Sequence, residues 1–151
     1  MFGYQGRLLH INLSSKSSKV EEFGEEFART FLGGNGFTVK ALWDSVKGGI
    51  DPFSPENVIC IAVGPFTDTA IPSASRACIS SKSPLTGLFF DSTFGGSWPI
   101  SLKRTGYDAL ILHGKAESLT YLSITEDGAE FRDASNLAGK WISETCDTIS
   151  E

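Results

Sequence analysis

Arg76 stands alone among small and hydroxyl side chains, with Ser73-Ala74-Ser75 just before it and Thr67, Thr69 and Pro72 further back in a stretch that opens at Gly64. A charge in such company must be paired or solvated. The guanidinium fork binds planar or anionic groups through two parallel hydrogen bonds. Arg76 is therefore a candidate ligand contact, with an internal salt bridge as the alternative. Further on, Thr93-Phe94-Gly95-Gly96-Ser97 sets two hydroxyls and two glycines ahead of a helix-like run. Backbone amides at such a turn can receive a phosphate; a tight strand-to-helix connection would use the same residues. The whole stretch from Gly64 to Gly96 is rich in Gly, Pro, Ser and Thr, yet apolar strand-like runs interrupt it. Small residues, hydroxyls and a lone Arg are what a backbone needs to approach a large polar ligand closely.

The remaining chemistry-bearing residues read as structural. Gly33-Gly34-Asn35-Gly36 follows a helical pattern, and Val39 stands where a dinucleotide fingerprint would need its third glycine. A helix break that allows close backbone packing is the better account. His10 and His113 lie on strand-like runs far apart in sequence, with no arrangement that suggests a triad. Lys103-Arg104 near a helix end suits the negative end of the helix dipole. Cys60, Cys78 and Cys146 are widely spaced and odd in number, which argues against a disulfide framework and against a self-contained metal or cluster site. All three are expected to be structural.

These residues need a scaffold, and the hydrophobic pattern supplies one. Arg7 to Leu13 alternates, with Leu9, Ile11 and Leu13 on one face, and Lys19 to Phe23 returns as a second strand. From Glu25 the period becomes helical. Phe27 and Phe31 fall four apart, and beyond the glycine break Val39, Leu42, Trp43 and Val46 form an i, i+3, i+4, i+7 face. Strands are expected at Val58–Val63, Ala77–Ser81, Leu88–Asp91 and Asp108–His113. A helix is expected over Ser97–Thr105 with Pro99 in its first turn. Leu119–Ile124 and Ala129–Arg132 form a hairpin through Asp127-Gly128. A last helix runs from about Leu137 to Glu151 with Ile142, Cys146 and Ile149 on one face and no Gly or Pro stop, which reads as a cut chain.

The chain's 151 residues suffice for one domain with a real core. A net charge of −5 gives no support to a nucleic-acid partner. No apolar run approaches membrane-spanning length, and the N-terminus lacks a signal-peptide pattern, so no membrane partner and a cytoplasmic location are expected.

Taken in order, several short motifs carry a family resemblance. They are Gly6-Arg7-Leu8 with Asn12-Leu13-Ser14; Phe31-Leu32-Gly33-Gly34-Asn35-Gly36; Asp51-Pro52-Phe53-Ser54-Pro55-Glu56-Asn57; Gly64-Pro65-Phe66-Thr67; Lys82-Ser83-Pro84-Leu85-Thr86-Gly87; Gly95-Gly96; and Leu102-Lys103-Arg104-Thr105-Gly106-Tyr107-Asp108-Ala109. Arg132-Asp133-Ala134-Ser135 with Gly139-Lys140 continues the set. Together they resemble the N-terminal domain of the tungsten-pterin aldehyde ferredoxin oxidoreductases, over essentially the whole chain.

The resemblance implies an α+β fold, a two-sheet, β-rich domain spanning residues 1–151 and truncated at its C-terminal end. It implies a base on which a tungsten (or molybdenum) bis-molybdopterin cofactor lies. The parent enzyme would oxidise an aldehyde to a carboxylic acid and pass electrons through a [4Fe–4S] cluster to ferredoxin; the cluster ligands are expected outside this chain. By the same resemblance Arg76 contacts the pterin, and Gly95, followed by Gly96, lies along the cofactor. Thr93 falls where better-known members place an Asn that binds the magnesium bridging the pterin phosphates; here it offers a hydroxyl in place of an amide oxygen. The segment Ser97-Trp98-Pro99-Ile100-Ser101-Leu102-Lys103 also departs from the family's commoner Phe-Gly-Pro-Glu-Leu-Lys. The implied partners are ferredoxin, a small aldehyde and the remaining domains of the same enzyme, with room for a homo-oligomer. The piece alone is expected to be inactive. The alternatives are a stand-alone pterin-binding or carrier subunit completed by a second chain, and a non-redox β-rich binding domain.

Overall fold

The strands and helices fall close to where the periodicity puts them. A computed structural model describes residues 2–150. The strands are β1 (Arg7–Asn12), β2 (Ser17–Glu22), β3 (Ile59–Val63), β4 (Ala77–Lys82), β5 (Phe89–Phe94), β6 (Ala109–His113), β7 (Thr120–Thr125) and β8 (Gly128–Asp133). The helices are α1 (Glu25–Phe31), α2 (Asn35–Ser45), α3 (Trp98–Arg104) and α4 (Ile142–Ser150), with a 3-10 turn at Ser135–Leu137. Six strands form one sheet in the order β2-β1-β6-β3-β4-β5, and β7 and β8 form a second of two. The β1–β6 pair is parallel and the other pairings are antiparallel. The expected α+β, two-sheet architecture is what the chain adopts.

Alternate residues of the large sheet feed two cores, as the pleat requires. Leu8, Cys60, Ala62, Ala109 and Ile111 face α1 and α2, where Phe37, Leu42 and Val58 join them. Leu9, Ile11, Val63, Ala77 and Leu110 face the other way, toward Leu102 of α3, Tyr107 and the apolar residues Leu122, Ile124 and Phe131 of the hairpin. β1 is thus buried on both faces rather than half-buried, because its neighbour β6 sits inside the sheet and helices cover one side while the hairpin covers the other.

The glycine break before α2 serves close packing. Gly33 has φ +123°, and a Cβ there would lie 3.1 Å from the Val63 carbonyl oxygen; one at Gly36 would lie 1.9 Å from that of Phe31. The break also rotates α2 away from the expected face. Val39 and Trp43 are exposed, Trp43 by 83%, while Phe37, Thr38 and Leu42 are buried. Bonds to β3 and β4 and an aromatic contact with α1 set this rotation: the Gly34 amide donates to the Val63 carbonyl at 3.0 Å, the Thr38 and Ser80 hydroxyls meet at 2.7 Å, and the Phe37 ring packs 5.0 Å from that of Phe27.

Three further expectations need correction. The hairpin's two-residue loop is Glu126–Asp127, one position earlier than expected, with Gly128 pairing Thr125 at φ +130°. The terminal helix begins only at Ile142, and its face of Ile142, Cys146 and Ile149 is exposed, since none of the described elements packs over it; the expected end at Glu151 lies outside the described residues. β5 extends to Phe94, so Thr93 belongs to a strand. Among the described residues no helix is long and apolar enough to cross a membrane.

Candidate functional site

β4 and β5 bring the two halves of the Gly64–Gly96 stretch together. Their register pairs Ala77 with Phe94 and Cys78 with Thr93, so one further step along the ladder sets Arg76 opposite Gly95. A Cβ on Gly95 would lie 3.9 Å from Arg76 Cδ and 4.0 Å from its Nε. A larger side chain there would cover the guanidinium. Gly96, at φ +85°, turns the chain toward α3. Ser73, Ser75, Arg76, Gly95 and Gly96 line an open depression of about 420 Å³. Arg76 is exposed, and among the described residues it has neither an ion-pair carboxylate nor a side-chain hydrogen bond. The internal salt bridge weighed as the alternative is absent there.

Thr93 lies on β5, not in the turn, because the ladder to Cys78 extends the strand past it. The pleat puts its exposed hydroxyl on the same face as Arg76 and Gly95. It contributes a single oxygen, and among the described residues no three His, Cys, Asp or Glu side chains cluster as a metal site. Cys60 and Cys78 are buried in the sheet as expected, and burial pushes the Cys60 thiol up to about 12. Cys146 is exposed, contrary to the expectation of a structural role, because the apolar face of α4 is uncovered.

Several polar partnerships were invisible in the sequence. Lys103 and Arg104 lie in the last turn of α3, as expected, and each also has a specific acidic partner. Lys103, 4% exposed, is buried and forms an ion pair with Asp108 Oδ1, and its Nζ also donates to the Gly3 carbonyl at 2.8 Å. Asp108 Oδ2 accepts from the Gln5 and Gly6 amides, both at 2.8 Å. The pair therefore fastens the chain's start beneath α3. Arg104 forms a two-pronged bond with Asp68, Nε to Oδ2 and Nη2 to Oδ1, each at 2.9 Å. These contacts hold Asp68 below the usual carboxylate range.

The parallel β1–β6 pairing also brings the two histidines together. His10 Nδ1 lies 3.1 Å from His113 Nε2, and His10 Nε2 lies 2.8 Å from Glu21 Oε2. The ring centroids are 5.4 Å apart with the planes within 15°, so the rings lie end to end and their nitrogens point at one another. That is a hydrogen-bond geometry, not one in which both lone pairs converge on a metal. Burial, then the neighbouring His10, push the His113 imidazole down.

Fold and site together define an α+β scaffold whose edge at β4 and β5 presents a guanidinium unpaired among the described residues, two hydroxyls and bare glycine backbone, an arrangement able to accept a phosphate-like anion. Residues 8–151 match the family model described as aldehyde ferredoxin oxidoreductase, N-terminal domain. The chain belongs to this family as its N-terminal domain. It is 45% identical over 145 residues to the tungsten-containing aldehyde ferredoxin oxidoreductase of Pyrococcus horikoshii, covering 96% of this chain and 24% of that protein. It is 43% identical over 151 residues to the protein of the same name from Pyrococcus abyssi, covering 100% of this chain and 25% of the relative. The chain therefore spans about a quarter of the length of these relatives. Among solved structures it is similar to the active site complex BamBC of benzoyl coenzyme A reductase with 1,5-dienoyl-CoA. There the TM-score is 0.94 at 38% identity, over 99% of this chain and 23% of that one.

Proposed function

We propose that this chain is the cofactor-contact base of a tungsten or molybdenum pterin oxidoreductase that oxidises an aldehyde to a carboxylic acid and passes the electrons to ferredoxin. Membership of the family and the tungsten-containing relatives support the class of enzyme. The observation that carries the assignment to particular residues is Arg76, a solvated guanidinium with no carboxylate partner among the described residues, set beside Gly95.

The residues present fit a pterin with its phosphates. Arg76 donates up to two charge-assisted hydrogen bonds to a phosphate or to the pterin's polar edge. Ser73 and Ser75 add hydroxyl donors along the same depression, and Gly95 and Gly96 leave the backbone open to close approach. When bound, the metal-pterin group supplies the oxo and electron-transfer chemistry. This chain orients the group and balances its negative charge.

Thr93 is assigned a lesser part, one hydroxyl oxygen toward a magnesium ion near the phosphates. Magnesium usually takes one or two carboxylates plus phosphate oxygens and water, so the phosphates would supply most of its ligands. The iron–sulfur cluster is assigned to the remainder of the enzyme, since Cys60 and Cys78 are buried in the sheet and Cys146 stands apart on α4. Relatives named for aldehydes and one named for benzoyl coenzyme A reductase share this base. We therefore place substrate selection outside it, and the reaction with the full-length enzyme.

The test is Arg76→Gln in the full-length protein. Losing a charge-assisted hydrogen bond costs about 1.5–3 kcal/mol, which weakens pterin retention roughly ten- to a hundredfold. Pterin released from denatured wild type and variant, at equal folded protein, measures this. Equal pterin in both removes Arg76 from the site.

A further inference from the structure

The loop between β3 and β4 carries Ser73, Ser75 and Arg76, yet has no regular structure of its own. Its hydrogen bonds are mostly internal. The buried Thr67 hydroxyl donates to the Arg76 carbonyl at 3.4 Å, the Asp68 amide to Ser75 Oγ at 3.2 Å, and the Thr69 hydroxyl to the Phe66 carbonyl at 2.7 Å. Two of its non-glycine residues, Asp68 and Ser73, hold φ at +60°, a conformation that unconstrained side chains avoid. Among the described residues, the hydrogen bonds that tie Asp68–Ser75 to another element all come from Arg104.

Arg104 closes α3, the helix entered through Gly95, Gly96 and Ser97. The fork therefore joins the two chain segments that border the depression, 36 residues apart in sequence. We propose that Arg104 and Asp68 are positioning residues, a two-pronged clamp that fixes the Ser73–Arg76 wall against the Gly95–Gly96 wall and keeps the Asp68 carboxylate engaged so that Arg76 stays available. This rests on the reading of that depression as the cofactor contact.

An exposed ion pair adds little to global stability, but a bidentate fork fixes distance and angle together. Its effect is therefore local. Cutting it lets the loop sample conformations in which the Asp68 turn relaxes out of its left-handed backbone, and frees a carboxylate within the same loop as Arg76.

The experiment compares four variants of the full-length apoprotein with wild type: Asp68→Asn, Arg104→Gln, Arg104→Lys and the charge exchange Asp68→Arg/Arg104→Asp. Amide hydrogen exchange is followed over residues 67–76, and inorganic pyrophosphate binding is measured by calorimetry as a stand-in for the phosphates. In Asp68→Asn and Arg104→Gln, exchange across the loop should rise about three- to fivefold with the core amides unchanged. Pyrophosphate affinity should fall in parallel. Arg104→Lys, which keeps the charge and loses the fork, should recover only part of the protection, and the charge exchange more of it than either parent single variant. Unchanged exchange in both neutral variants overturns the clamp, whatever binds. The cofactor reading fails separately if wild type and Arg76→Gln bind pyrophosphate equally weakly while the loop exchange still responds to the fork.

Discussion

Replacing Lys103 by Met tests how this scaffold is fastened beneath its candidate site. Lys103 and Asp108 are almost wholly buried, their side chains 5% and 1% exposed, so water screens neither. Asp108 also accepts from the Gln5 and Gly6 amides, and Lys103 donates to the Gly3 carbonyl. Met fills a similar volume but leaves the Asp108 carboxylate buried against two amides without its counter-charge. Breaking a buried pair by removing one partner costs about 3–5 kcal/mol. For a domain of this size each kcal/mol moves the melting temperature by about 2–4 °C, so a fall of roughly 6–20 °C is expected. Arg29→Gln is the control. It removes the exposed pair with Glu25, whose side chains are 78% and 64% exposed, and such a helix pair contributes about 0.3–0.5 kcal/mol. Thermal and urea unfolding of the two variants beside wild type give the comparison. A Lys103→Met protein no less stable than Arg29→Gln would refute the view that this pair fastens the chain's start to α3.

Two other perturbations follow from the same contacts. In the native protein Cys146 should react with a thiol reagent at the rate of an ordinary exposed cysteine, while Cys60 and Cys78 stay protected until unfolding; early reaction of Cys60, whose thiol is held near 12, would contradict its burial. The depressed His113 makes stability pH-dependent in a fixed direction. The unfolded imidazole, with its ordinary value of about 6.5, takes a proton before the folded one does. Stability should therefore fall as the pH drops from about 6.5 toward the lower folded value and level off beneath it. His113→Gln should flatten that slope in a urea-unfolding series across pH, with His10, whose other ring nitrogen bonds Glu21, the titratable group facing the ring.

The elements that repeat were legible before any coordinates. Period-two and helical patterns placed each strand and helix within a few residues, because burial selects apolar side chains at those spacings. What escaped was set by contacts between distant segments. The face of α2 turned on a bond between the Thr38 and Ser80 hydroxyls, which no periodicity encodes. Lys103 was legible as a residue of the last helical turn, but its pairing with Asp108 and with the chain's first residues was not. His10 and His113 met only because β1 and β6 pair in parallel. At the candidate site, Arg76 and Gly95 were both named from residue type and family pattern. Their opposition across β4 and β5, and the Arg104–Asp68 fork beside them, required the register.

The decisive experiment is metal and pterin analysis of the full-length protein, made in its native host and purified without oxygen. The cofactor reading predicts tungsten or molybdenum with pterin, and about four irons per chain for one [4Fe–4S] cluster. Full-length protein that is folded and carries neither metal nor pterin would contradict it, leaving a domain that keeps the family's scaffold without its cofactor.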